Sequence, residues 1–314
     1  MSQNSTELKR SLGLLDATMI VAGSMIGSGI FIVSAAMSRA VGSAGYLLLL
    51  WVITGVITVM AALSYGELAG MMPKAGGQFV YIQRAFGNLV AFLYGWTVFT
   101  VIQSGVIAAV AVAFTNYTAI FFPELNREIL SVYNGAFIIT WKQILAIISI
   151  LFLTYSNTRG IQNGRRIQVI FTSTKLLALF SLIVVGVAMA FKTDTLAQNF
   201  NNAWDAATTT VNPDGTISIQ HLAGFALLGA MGSTIINSLF SADAWNNVTF
   251  IAGEIKDPKK NIPRSLFLGT FVVTLLYVLA NIAYLALLPL KGNPVATDAF
   301  SQGIQFATND RVAG

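Results

Sequence analysis

Glycine and serine crowd into residues 22–31, where Gly23, Ser24, Gly27, Ser28 and Gly29 interrupt an apolar run that extends from 14 to 36. Those residue types hold a helix poorly, so the spacing predicts that a helix breaks there. Broken backbone at membrane depth exposes amides and carbonyls that hydrocarbon cannot satisfy, so the gap must be buried in protein or face a watered cavity. A half-helix starting near Gly29 turns its free N–H groups and positive dipole end toward the gap, while one ending near Ser24 presents free carbonyls. One end suits an anion and the other a cation. A free amino acid carries both charges on one carbon.

A second break is spelled by Phe240-Ser241-Ala242-Asp243-Ala244-Trp245-Asn246-Asn247 inside another apolar run. Within such a break Phe240 and Trp245 suit a gate or pocket wall better than plain core packing. Asp243 has two duties open to it: bonding the free N–H groups of the unwound turn, a habit of aspartate, or meeting a substrate ammonium. The first fits better, because neighbouring carbonyls already supply acceptors. Lys175 lies within a third apolar run, at an insertion cost of roughly 3 kcal/mol that marks such residues as functional. It sits some eight residues past Arg165-Arg166, about 12 Å along a helix at 1.5 Å per residue, which is deep for a snorkelling side chain.

The plainer account of Gly23, Gly27 and Gly29 is a small-residue packing face; Ser28 between two glycines, and the matching break at 240–247, favour binding. Asp16 is placed as a cap or favourable charge at a helix start, and Glu67 as an interfacial charge. Glu254 has Lys256, Lys259 and Arg264 close by in sequence, and pairing across the inner face stands even with plain solvation. His221 reads as polar surface. No phosphate loop, metal cluster or nucleophile triad is spelled, so the expectation is transport without catalysis, cofactor or metal.

These groups need elements to position them. The chain is 55% apolar and only 10% charged, against about 25% charge in soluble domains. Runs of about 20 apolar residues, enough to cross about 30 Å of hydrocarbon, fall at 14–36, 44–68, 89–114, 141–155, 169–191, 223–252 and 266–290, the fourth being short. The first run is too long for a signal h-region and has no cleavage site, so it is kept. Zero cysteines exclude disulfides and thiolate chemistry.

The net charge of +5 does not indicate nucleic acid, because the basic residues follow the loops. With the N-terminus in the cytoplasm, Lys9, Arg10, Lys74, Arg84, Arg159, Arg165, Arg166, Lys256, Lys259, Lys260 and Arg264 lie inside. Arg39, Arg127, Lys142, Lys192, Lys291 and Arg311 lie outside. That asymmetry fits the positive-inside rule.

The first and sixth runs are the interrupted ones. Five spans make an odd unit, so a second copy would lie inverted, and interrupted segments at matching places in inverted halves point to a secondary transporter's central site. The expected division is a cytoplasmic N-terminus at 1–13, a first repeat at 14–191, an outside loop at 192–222, the start of a second repeat at 223–290, and an outside loop at 291–314. The second unit then lacks at least three spans, and the sequence reads as a fragment.

Ile26-Gly27-Ser28-Gly29-Ile30-Phe31, the stretch 67–77, Asn157-Thr158-Arg159-Gly160, Lys175 and the stretch 240–263 together resemble the amino acid-polyamine-organocation superfamily, in its L-type amino acid transporter-like branch. The likeness runs from about 12 to 290. It implies an all-α multi-pass membrane protein of the LeuT type, with 5+5 inverted repeats and helices 1 and 6 discontinuous, here an N-terminal fragment of about seven spans. It also implies a substrate carboxylate on the amides of Gly27, Ser28 and Gly29, an ammonium on the carbonyls of Met25, Phe240 and Asp243, and Phe240 as a gate. Ala242 and Ala244 stand where an aromatic and a glycine are commoner. The matching lysine lies against the broken first helix, where sodium-coupled relatives hold their ion, so Lys175 is expected to replace it as the coupling residue.

The expectation is a secondary amino acid permease in the cell membrane, surrounded by lipid, with an amino acid substrate and either exchange or proton symport. A polyamine or organocation carrier of the same superfamily is an alternative, as is a channel. A seven-helix receptor or sensor is another, although a retinal protein needs a lysine in its last span, and the run at 266–290 has none.

Overall fold

The computed structural model describes residues 10–132, 137–158, 161–211, 217–292 and 303–304. Readings that fall on Lys9, Arg159, Gly160, residues 212–215 and most of 293–314, Arg311 included, lie outside the described residues. The chain divides into two units, residues 1–81 with 172–307, and residues 82–171 with 308–314.

The first apolar run comes apart as expected. Helix α1, Leu14–Met25, and helix α2, Gly29–Val41, are bent by 46° at the break between them. Asp16 starts α1 by accepting a hydrogen bond from the Gly13 amide at 2.9 Å, which satisfies one of the orphan donors of a helix start. Helix α3, Ala44–Met71, follows after Ser43, whose side chain accepts from the Tyr46 amide. A turn with Gly76 at φ 119° and Gly77 at φ 50°, conformations that glycine adopts without steric cost, leads into α4, Gln78–Phe86.

The second unit holds α5, Asn88–Thr97, a π-helical turn at Val98–Gln103, α6, Ser104–Phe121, and α7, Trp141–Thr158. Its apolar stretch Asn88–Phe121 is mostly exposed, with Ala91, Ala111, Thr115 and Ala119 the buried residues along it. A helix that is apolar on its exposed faces suits hydrocarbon rather than water. Helix α8, Ile161–Ala190, begins in this unit and continues into the first.

The remainder of the first unit is α9, Thr195–Phe200, α10, Gly224–Ser241, a 3-10 helix at Trp245–Glu254, and α11, Pro258–Leu287. Proline at the first position of α11 gives up an amide that would be unpaired anyway. The core of this unit gathers where α1, α3 and α11 pack, with Ile26, Leu47, Leu50, Trp51, Leu266 and Tyr277 almost wholly buried.

Two features differ from the expected architecture. Antiparallel hairpins form from β1, Glu128–Val132, with β2, Phe137–Thr140, and from β3, Ala207–Val211, with β4, Ile217–His221. Both lie in connections expected to be plain loops; consecutive β-branched residues such as Thr208, Thr209 and Thr210 favour extended backbone. The span count also differs. Among the described residues five helices are long and apolar enough to cross a membrane, or six if the bent α1–α2 pair is one span. The short fourth run does form α7, but Trp141, Lys142 and Gln143 at one end and Ser156, Asn157 and Thr158 at the other dilute its apolar centre.

Candidate functional site

Both stretches are interrupted in the structure. Ile26, Gly27 and Ser28 separate α1 from α2, and no side-chain bond caps the start of α2 at Ser28. The Phe31 amide turns back onto the Ser28 carbonyl at 3.1 Å, while the amides of Ser28 and Ile30 have no acceptor among the described residues. In the sixth run α10 ends at Ser241, and Ala242, Asp243 and Ala244 lead to the 3-10 helix. Phe240 itself is still helical, so unwinding starts two residues later than the motif suggested. Ala244 lies in the left-handed region at φ 67°, a conformation costing an L residue with a side chain roughly 1–2 kcal/mol.

The three glycines of the first break have different neighbours. A Cβ on Gly23 would lie 2.9 Å from the Thr172 methyl, and one on Gly29 would lie 2.8 Å from the Ser241 Cβ, whereas one on Gly27 would meet nothing nearer than the Met25 carbonyl at 4.0 Å. Gly23 and Gly29 therefore serve close packing, Gly23 against α8 and Gly29 against the end of α10. Gly27 alone leaves open space. Thr172 and Lys175 are three residues apart and share a face of α8; the ammonium of Lys175 donates to the Ile26 carbonyl at 2.9 Å. Lys175 thus joins α8 to the first break.

Phe240, Asp243 and Trp245 come together around one cleft of about 410 Å³, lined also by Ile57, Thr58, Ala61, Ile236, Leu239 and Ala242. Met25, Gly27, Ser28 and Gly29 do not line it. The Phe240 ring is 68% exposed. Trp245 packs edge-on against Tyr65 with ring centroids 5.0 Å apart, and the Tyr65 hydroxyl accepts from the Gln78 amide at 2.8 Å. The structural duty expected of Asp243 is not found: its side chain is exposed and makes no hydrogen bond among the described residues. Its backbone has already turned under the Phe240 carbonyl at 3.4 Å, so the carboxylate is left open to the cleft.

The charged cluster after the second break behaves differently from an ion-pair network. His221 is exposed, as the polar-surface reading expected, and its Nδ1 lies 2.8 Å from the Asp205 carboxylate. Glu254 contributes its carbonyl instead of its carboxylate. That carbonyl accepts from the amides of Ser11 and Leu12 at 2.9 and 3.0 Å, and the Lys256 amide donates to the Leu12 carbonyl at 2.8 Å. The segment entering α1 is thereby tied by backbone to the segment leaving the 3-10 helix.

Helix α11 lies where the apolar run at 266–290 was expected, but its tyrosines were not among the expected site residues. The Tyr277 hydroxyl reaches the Met25 carbonyl at 2.9 Å and the Ser241 carbonyl at 3.2 Å, and the Tyr284 hydroxyl reaches the Ile30 carbonyl at 3.2 Å. Trp51 holds the Tyr277 ring edge-on at 5.3 Å. Thr54 and Ser238 share a further hydrogen bond of 2.7 Å between α3 and α10. A signal for α11 was present, since Tyr277, Asn281 and Tyr284 recur at helical spacing in an apolar run, which places three polar groups on one face.

A family model described as amino acid permease matches residues 12–308. The chain belongs to the amino acid permease family. The large neutral amino acids transporter small subunit 2 of Rattus norvegicus is 34% identical to it over 277 residues, covering 88% of this chain and 47% of that relative. The b(0,+)-type amino acid transporter 1 of Mus musculus is 30% identical over 292 residues, 90% of this chain and 53% of the relative. The Asc-type amino acid transporter 1 of Mus musculus is 33% identical over 277 residues, 88% and 48% respectively. This permease chain spans about half the length of these relatives. Family and apolar helices together make it a multi-pass membrane protein.

Proposed function

We propose that this permease chain forms the substrate-recognising part of a secondary amino acid transporter that alternates access around its two helix breaks. The observation that carries the reading is the pairing of those breaks. Uncapped amides open α2 at Ser28, and the carbonyl ends of α1 and α10 are drawn together on one tyrosine. Amides and a positive dipole end suit a carboxylate, and carbonyl ends suit an ammonium. In this reading Ser28 and Gly29 hold the carboxylate with Gly27 beside them, the carbonyls at Met25, Phe240 and Asp243 surround the ammonium, and Phe240 and Trp245 close the pocket. The apolar lining of the cleft favours a neutral substrate side chain, in keeping with a relative named for large neutral amino acids.

Lys175 is the coupling residue in this scheme. It places a fixed cation on the Ile26 carbonyl, beside the negative end of α1, and so removes the need for a metal ion there. That leaves amino acid exchange or proton symport as the driving process. A LeuT-type architecture of 5+5 inverted repeats in the cell membrane, with the N-terminus cytoplasmic, accommodates the two breaks and the loop charges.

The test is counterflow in liposomes, with a panel of labelled amino acids, with and without a pH gradient. Saturable exchange of neutral amino acids is expected, and a rate that follows the pH gradient identifies proton symport. Absence of saturable exchange for every amino acid overturns the reading, and conduction without saturation identifies a channel.

A further inference from the structure

Two half-helices end at one point. Met25 closes α1 and Ser241 closes α10, and each helix end has carbonyls without an intrahelical donor and carries the negative end of its dipole. Between them stands a single hydroxyl, that of Tyr277, 2.9 Å from the Met25 carbonyl and 3.2 Å from the Ser241 carbonyl. Tyr277 is 2% exposed, and its ring is fixed edge-on to Trp51, so it cannot swing away without disturbing the core.

A phenol has one proton to donate. Two carbonyls that share it are both short of a full hydrogen bond, and in a low-dielectric surrounding that shortfall is costly. An ammonium has three donors and a charge, so it supplies what the hydroxyl lacks.

We infer that Tyr277 is a substrate-positioning residue, whose shared hydroxyl holds the carbonyl ends of both breaks in register and leaves them one donor short, so that the ammonium of an amino acid completes the set. This rests on the transport reading above and adds a residue from α11 to it. Phe240 and Ala242, the neighbours of Ser241, line the cleft, which puts the Ser241 carbonyl within one residue of the substrate space.

Tyr277→Phe keeps the ring and removes only the hydroxyl. In reconstituted protein the KM for a neutral amino acid rises about tenfold, because the carbonyls that receive the ammonium lose the donor that holds them in register, while the maximal rate stays within about twofold. Competition by the desamino analogue, which has the same side chain and carboxylate but no ammonium, is unchanged. An unaltered KM, or equal weakening of both ligands, overturns the assignment while counterflow by the unmodified protein leaves the transport reading intact. If the unmodified protein shows no counterflow, both fall. Should Tyr277→Phe fail to fold, competition by N-methylated substrates on the unmodified protein decides: affinity declines with each N–H replaced, and a trimethylammonium form that competes as well as the parent overturns the inference.

Discussion

Ala244 and Lys175 are the residues at which a single side chain meets the strongest local constraint. At φ 67° the Ala244 methyl opposes the backbone that the second break requires, and Ala244→Gly is expected to stabilise the protein by about 1 kcal/mol, the usual penalty for a left-handed non-glycine residue. A melting temperature that falls instead would sink that account. Lys175→Ala removes a charge-assisted bond to Ile26, and counterflow is expected to drop at least about tenfold; transport at the unmodified rate disposes of the coupling role. Both residues were visible in the sequence, Lys175 because a charge in an apolar run is conspicuous and Ala244 because it sits in the second break. The duty of Asp243 was not visible. Whether a carboxylate bonds its own turn or faces a cleft depends on how the backbone leaves the helix, which no residue type announces.

At the scale of elements, the glycines of the first break look alike in sequence and differ in what they touch. Gly29→Ala brings a methyl within 2.8 Å of Ser241, and overpacking of this kind costs about 1–3 kcal/mol, so α2 and α10 are expected to separate and the yield of folded protein to fall. Gly27→Ala has room and is expected to fold normally. Equal loss of folded protein in both variants, measured by thermal unfolding in detergent, would show that packing does not distinguish them. The glycine spacing announced that a helix would break. It did not say which glycine touched what, because the contacts come from α8 and α10, more than 140 residues away along the chain. The same holds for α11, whose polar stripe was legible as a period but whose partners, the carbonyls of Met25, Ser241 and Ile30, are backbone groups that carry no sequence signature.

Across the whole molecule, the backbone bridge between Leu12 and Ile255 connects the beginning of α1 to the end of the 3-10 helix. Amide exchange should therefore be slow at Ser11, Leu12 and Lys256, the three donors of that bridge, although they lie outside the long helices; exchange at the rate of an open loop at all three removes the bridge from the account. Composition alone determined that this chain lives in a membrane, since a 55% apolar sequence with 10% charge cannot hide its surface in water. Residue spacing likewise determined where two spans come apart, because helix breaking by glycine and serine is a local property. Only the tertiary structure decided that the two openings share one hydroxyl, that a lysine bonds to one of them, and that a carboxylate beside the other makes no hydrogen bond among the described residues. Hydrogen bonds between distant backbone groups depend on three-dimensional proximity, and proximity is set by the packing of the entire core.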